Sequence, residues 1–186
     1  MKRDTKTLVL VLGLVAALIS TGCSATVGLR SQDVQGSSGP NPPKIDGAFA
    51  VSSMWLGKNW EIFVEGSDLD GDMDYIWAEV SQLGGHMWDQ HLIRLKGVDR
   101  ERFKGVIIVP TPSFQSRKIY ETLRVTLRVR DRAGHYSNPV TLEVDLGKPT
   151  REAVPESWVD ARKHRLGIIF FDFDLDRSED IRDFKT

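Results

Sequence analysis

The chain has 186 residues, 40% of them hydrophobic and 27% charged, a size and balance suited to one folded domain. Its formal charge is −1, and setting aside a net +2 carried by Lys2, Arg3, Asp4 and Lys6 leaves −3, which excludes strong electrostatic attraction to nucleic acid. With Cys23 as the one cysteine, no disulfide framework can form within the chain.

Lys2, Arg3 and Lys6 precede an apolar run over residues 8–19, the layout of a secretory signal. A helix that spans a bilayer needs roughly 20 apolar residues, so this run is too short for a permanent membrane span. It ends in Ile19-Ser20-Thr21-Gly22-Cys23, which resembles the lipobox of bacterial lipoproteins, although Ser20 stands where that family more often has Leu and Asp4 sits among the basic residues. The resemblance implies that signal peptidase II removes residues 1–22, that Cys23 is diacylated on sulfur and N-acylated, and that the membrane is a partner through this lipid. Each buried methylene contributes about 0.8 kcal/mol, so several acyl chains anchor stably where one anchors marginally. Ser24 rather than Asp follows the cysteine, which in the family's sorting rule implies the outer membrane where the cell has one. The competing expectation is an ordinary secretory signal cut near Ala25.

Residues 23–44 then form a lipidated N-terminus and tether, since 31–44 is rich in Ser, Gly and Pro and too poor in apolar surface to offset the entropy of ordering. Asn41-Pro42-Pro43 stiffens its end. Residues 45–147 carry short β-prone runs separated by Gly, Asp, Pro and Ser, with strands expected at 47–52, 60–65, 74–82, 91–96, 103–109, 120–130 and 136–146. The clearest is Leu123, Val125, Leu127 and Val129 alternating with Arg124, Thr126, Arg128 and Arg130, a period of two that buries one face. The stretch from Val129 to Val140 resembles the last hairpin of immunoglobulin-like or fibronectin type III-like domains, with Asp131 placed to accept N–H bonds across the turn, Gly134 to take positive φ, and Pro139 at a strand start. That resemblance implies an all-β fold, a single seven-stranded antiparallel sandwich, with Tyr120 as a tyrosine-corner residue and Trp60 or Trp77 as the central tryptophan.

Between the second and third strands lies Asp68-Leu69-Asp70-Gly71-Asp72-Met73-Asp74. Alternate carboxylates offer the hard oxygen ligands calcium prefers, making Asp68, Asp70, Asp72 and Asp74 candidate ligands; an Asp/Gly turn that satisfies its own backbone is the plainer expectation. The glycine falls too early for an EF-hand. Further on, the loop around His86-Met87-Trp88-Asp89-Gln90-His91 presents Met87 and Trp88 as candidate partner or glycan contacts, or folds Trp88 back on the sheet. His86, Asp89 and His91 are scattered too loosely to indicate a transition metal.

Residues 148–186 form a C-terminal extension, with a short helix expected over 155–165 and then an amphipathic strand placing Ile169, Phe171, Phe173 and Leu175 opposite Phe170, Asp172, Asp174 and Asp176. The strand either adds to the domain's own sheet or to a partner's. The sequence has no Gly-x-Ser-x-Gly, His-Glu-x-x-His or phosphate-cradling glycine loop, so the expectation is not an enzyme. It is a membrane-anchored lipoprotein of the cell envelope that works by binding, as scaffold or accessory to another envelope protein; the alternative is a calcium-dependent adhesion or glycan-binding module.

Overall fold

A computed structural model describes residues 39–83, 85–111, 113 and 121–171. Cys23, most of the tether, Tyr120, and Phe173 and Leu175 with their flanking aspartates lie outside these residues.

Nine strands form two sheets: β1 (Lys44–Ala50), β2 (Ser53–Met54), β3 (Asn59–Ser67), β4 (Met73–Gln82), β5 (His91–Arg94), β6 (Arg102–Pro110), β7 (Glu121–Asp131), β8 (Val140–Leu146) and β9 (Arg165–Ile168). The first sheet runs β1-β3-β6-β9 and the second β2-β8-β7-β4-β5. Each of the seven expected strands has a counterpart, several with shifted ends, but the seven-strand count needs correction because β2 and β9 bring it to nine among the described residues. The all-antiparallel expectation needs correction at two edges, because β2 pairs with β8 and β9 with β6 in parallel. A parallel neighbour requires a long crossover connection, and the 155–164 segment supplies one for β9.

The period of two on β7 has the expected consequence: Leu123, Val125, Leu127 and Val129 are fully buried, facing Ile76, Ala78 and Val80 of β4 within the second sheet and Trp60, Ile62, Val64, Ile107 and Val109 across the sandwich. Trp60 is the buried tryptophan of this core, its Nε1 donating to the Val51 carbonyl at 3.0 Å. Trp77 lies on the opposite, outer face of β4 against Tyr136, with ring centroids 5.4 Å apart.

The first sheet is buried on both faces. Phe63 and Val106 point away from the main core and, with Phe49 and Ile108, pack under Val154, Trp158 and Ala161. The covering segment is shorter in α-helix than expected: α1 spans Glu156–Val159 and continues as a 3₁₀ turn over Asp160–Lys163. Arg162 clamps it to Glu61 with three hydrogen bonds of 2.7–3.1 Å, and Lys104 Nζ sits 4.6 Å from the Trp158 ring centroid. The chain then returns as β9 along β6 and drives Ile169 into the main core, fully buried, while Phe170 stays exposed. The described part of the extension is therefore the third layer and an edge of the same sandwich; its strand lies ahead of the expected one, at Arg165–Ile168, and of the alternating run only residues 169–171, which are not strand, are described.

Candidate functional site

The acidic run forms the connection between β3 and β4, where β7 ends and where the chain enters the domain. Asp68 and Asp72 are only 5% and 4% exposed, and Asp131 of β7 is 1% exposed. The turn closes on itself, since Asp72 N–H donates to Asp68 Oδ2 at 3.0 Å and Gly71 takes a φ of +69° that favours glycine. Asp68 N–H donates to the Glu101 carbonyl at 2.8 Å, and Arg132 N–H to that of Asp72 at 3.2 Å.

The four candidate carboxylates have different surroundings. Asp70 is committed to the tether: Asn41 donates to it from its backbone N–H (2.7 Å) and from Nδ2 (2.9 Å). Asp72 accepts from Gly39 N–H at 3.2 Å through Oδ2. The Oδ1 atoms of Asp68, Asp72 and Asp74 are buried without a hydrogen-bond partner. Asp74 lies 3.9 Å from Arg94 Nε. Burial first, then the adjacent Asp68 carboxyl and, more weakly, the Asp131 charge push the Asp72 carboxyl above 3.8, against a downward pull from the Gly39 N–H that ranks behind burial and Asp68 alone. Among the described residues, no group of three or more His, Cys, Asp or Glu side chains already stands arranged to hold a metal ion.

Asp131 joins this cluster from the β7–β8 turn, where it accepts from His135 N–H at 2.7 Å as the sequence leads one to expect and also pairs with His135 Nδ1 at 2.9 Å, which it does not; Gly134 takes the expected positive φ, +95°. Its proximity to Asp72 was invisible in sequence.

In the second candidate loop, Met87 is 72% exposed. Trp88 is half-buried against the core, its ring 4.5 Å from that of Phe171 and 5.2 Å from that of His86. Backbone bonds fix the loop to β4, Trp88 N–H donating to the Val80 carbonyl at 3.1 Å. His91, half-buried on β5, has its imidazole pushed below 6.5 by burial.

A third feature went unread in the sequence as a unit. The outer face of the second sheet alternates arginine and aromatic side chains: the Arg94 guanidinium lies 5.6 Å from the Tyr75 ring, Arg128 6.0 Å from Trp77, and Arg130 5.9 Å from Tyr136. Arg128 and Arg130 are exposed. Only Arg124 of that β7 row has a close carboxylate among the described residues, Glu143 at 2.6 Å. The register that aligns them, Trp77 opposite Arg128 and Tyr75 opposite both Arg94 and Arg130, links strands far apart in sequence. No helix among the described residues is long and apolar enough to cross a membrane.

No family model matches the chain, and no curated protein matches it. One solved structure similar to part of it is the CARDB domain of a Pyrococcus furiosus protein, in complex with di-metal ions: 13% identity, TM-score 0.32, 57% of this chain and 93% of that one covered.

Proposed function

We propose that the chain is a lipid-anchored lipoprotein of a bacterial cell envelope whose immunoglobulin-like sandwich works by binding another envelope protein rather than by catalysis. The observation that carries the reading is the position of Cys23, the sole thiol, directly after the apolar run and the small residues of a lipobox-like sequence. The immunoglobulin-like assignment draws support from strand order: β1-β3-β6 faces β8-β7-β4-β5, and β2, which follows β1 directly in the chain, attaches parallel to β8, so the first two strands are divided between the sheets. Here β9 occupies the edge beside β6.

A binding role is supported by an asymmetry between the two outer faces. The C-terminal segment covers that of the first sheet, whereas that of the second carries the arginine and aromatic ladder in contact with solvent. Aromatic and arginine side chains are those most enriched where protein interfaces draw their affinity. Attachment at Cys23 followed by a Ser/Gly/Pro tether holds such a surface near the membrane and lets it search for its partner. The residue after the cysteine, Ser24, favours the outer membrane in a cell with two.

The test is fractionation of cells expressing the wild-type chain and Cys23→Ser. Wild type partitions with membranes and Cys23→Ser does not; a Cys23→Ser chain that stays with the membranes refutes the anchor. In wild type, crosslinking captures a defined envelope protein, and Arg128→Glu with Arg130→Glu weakens that capture.

A further inference from the structure

The outer face of the second sheet carries arginines whose spacing and surroundings narrow the chemistry of what it can meet. In register across the strands, Arg94, Tyr75, Arg130 and Tyr136 make one row, and Leu92, Trp77 and Arg128 make the next. Each of the three arginines lies within 6.0 Å of an aromatic ring centroid. A guanidinium held beside a ring is already ordered, so little side-chain freedom remains to be lost when its N–H fork takes up an oxyanion.

Their charges are not spent within the domain. Arg124 of the same β7 row is taken by Glu143 at 2.6 Å, whereas Arg128 and Arg130 are exposed and have no carboxylate at ion-pair distance among the described residues. Arg94 has Asp74 only at 3.9 Å from its Nε. Residues two apart on a strand face are about 7 Å apart, and this is also the repeat of an extended peptide. Carboxylates at alternate positions of such a peptide therefore meet the Arg128 and Arg130 forks together. Leu92, 62% exposed, and Tyr136, 43% exposed, flank the arginines and offer apolar contact beside them.

The patch is short. Two residues beyond Trp77, β4 carries Glu79, opposite Thr126 of β7, and the next outward pair of β7 and β8 is Arg124 with Glu143. The chain as a whole has a net charge of −1. Charges act over about 8 Å at physiological salt, so a short acidic segment senses chiefly the arginines. A nucleic acid or an anionic membrane surface reaches past them and meets the carboxylates.

We propose that this face binds a short, extended, acidic segment of a protein partner, its alternate carboxylates seated on Arg128 and Arg130 with Arg94 at the flank. The proposal rests on the reading of this face as the binding surface and adds the chemistry of the partner.

The test titrates the full chain, purified in nonionic detergent, into a fluorescent peptide of about eight residues alternating aspartate and leucine, read by anisotropy. The expected result is saturable binding that weakens at least about fivefold when sodium chloride rises from about 50 to about 500 mM. Arg128→Gln and Arg130→Gln each weaken it about tenfold through loss of a charge-assisted pair. Arg128→Lys weakens it about threefold, because the charge stays and the fork goes. Arg124→Gln, whose guanidinium already serves Glu143, stays within about twofold of wild type. Should a variant fail to fold, wild type decides alone: the same peptide with asparagine for aspartate binds about tenfold more weakly or worse. Absence of saturable binding overturns the proposal, as does equal binding of the asparagine peptide or an equal loss in Arg124→Gln. Displacement by millimolar glycerol phosphate, or tighter binding of a short oligothymidine, also overturns it, since the face is then a general phosphate site. If the peptide fails while Arg128→Glu with Arg130→Glu still weakens capture from membranes, the acidic chemistry falls and the binding face stands. If capture is also indifferent to that pair, the face itself is wrong.

Discussion

Substituting Gly105 by alanine tests whether the C-terminal segment belongs to the sandwich. Gly105 lies on β6 where β9 comes alongside, and a Cβ there stands 2.5 Å from the His164 carbonyl oxygen and 2.8 Å from Leu166 Cγ. The first neighbour is backbone, so relief requires the chain to move away from β6. Movement strains the 2.9 Å bond from Val106 N–H to that same carbonyl and the 2.9 Å bond from Ile169 N–H to the Ile108 carbonyl. Overpacking of this kind costs about 1–3 kcal/mol. Full release of β9 adds exposure of Ile169, about 1.5–3 kcal/mol, and is partly offset by recovered chain entropy. A loss of about 2–3 kcal/mol corresponds to a Tm lower by about 4–12 °C at this chain length. Gly47→Ala is the control, since its Cβ meets only the Trp158 ring at 3.6 Å, an ordinary contact. Thermal melting followed by circular dichroism reads both variants. If Gly105→Ala melts within a degree of wild type, β9 is not docked on β6 and the extension is not part of the domain.

Trp158→Ala removes the lid from Phe63, whose ring centroid is 6.1 Å away, and is expected to cost about 1.5–3 kcal/mol in urea unfolding; an unchanged midpoint contradicts the third layer. In chelator, the raised Asp72 carboxyl gives a pH signature. An acid raised on folding holds its proton more tightly in the folded chain, so its contribution is present below 3.8 and is lost as pH climbs through the raised value. Urea midpoints of wild type relative to Asp72→Asn therefore increase on acidification toward 3.8, and a relative decrease contradicts the assignment. His91, lowered by burial, acts in the opposite sense: its contribution is present above 6.5 and lost as pH falls below it, and His91→Asn removes that loss in the same assay.

What was legible in the sequence follows from how local each signal is. The alternation in β7 and β4 reports one buried face, and the structure places those residues as the period requires. Ile62-Phe63-Val64 and Val106-Ile107-Ile108-Val109 break alternation, which is the mark of a strand covered on both faces. The cover, Trp158 and Ala161, comes from far along the chain, so the pattern announces a second layer without naming it. β2 has only two residues, too few for any period, and the parallel placement of β9 depends on the crossover above it. In the acidic turn the sequence supplies the carboxylates in order but not their partners. Asn41, which occupies Asp70, lies 29 residues upstream, and Asp131, far downstream in the chain, arrives by sheet register at the end of β7. The arginine and aromatic ladder is hidden for the same reason, as its members meet across strands.

The most direct test of the central claim is the mass of the N-terminal peptide from the protein extracted from membranes. A lipid-anchored chain yields a peptide that begins at Cys23 and carries the mass of three acyl chains and a glycerol unit. A peptide that begins beyond Cys23, near Ala25, or one that retains Met1 contradicts the claim.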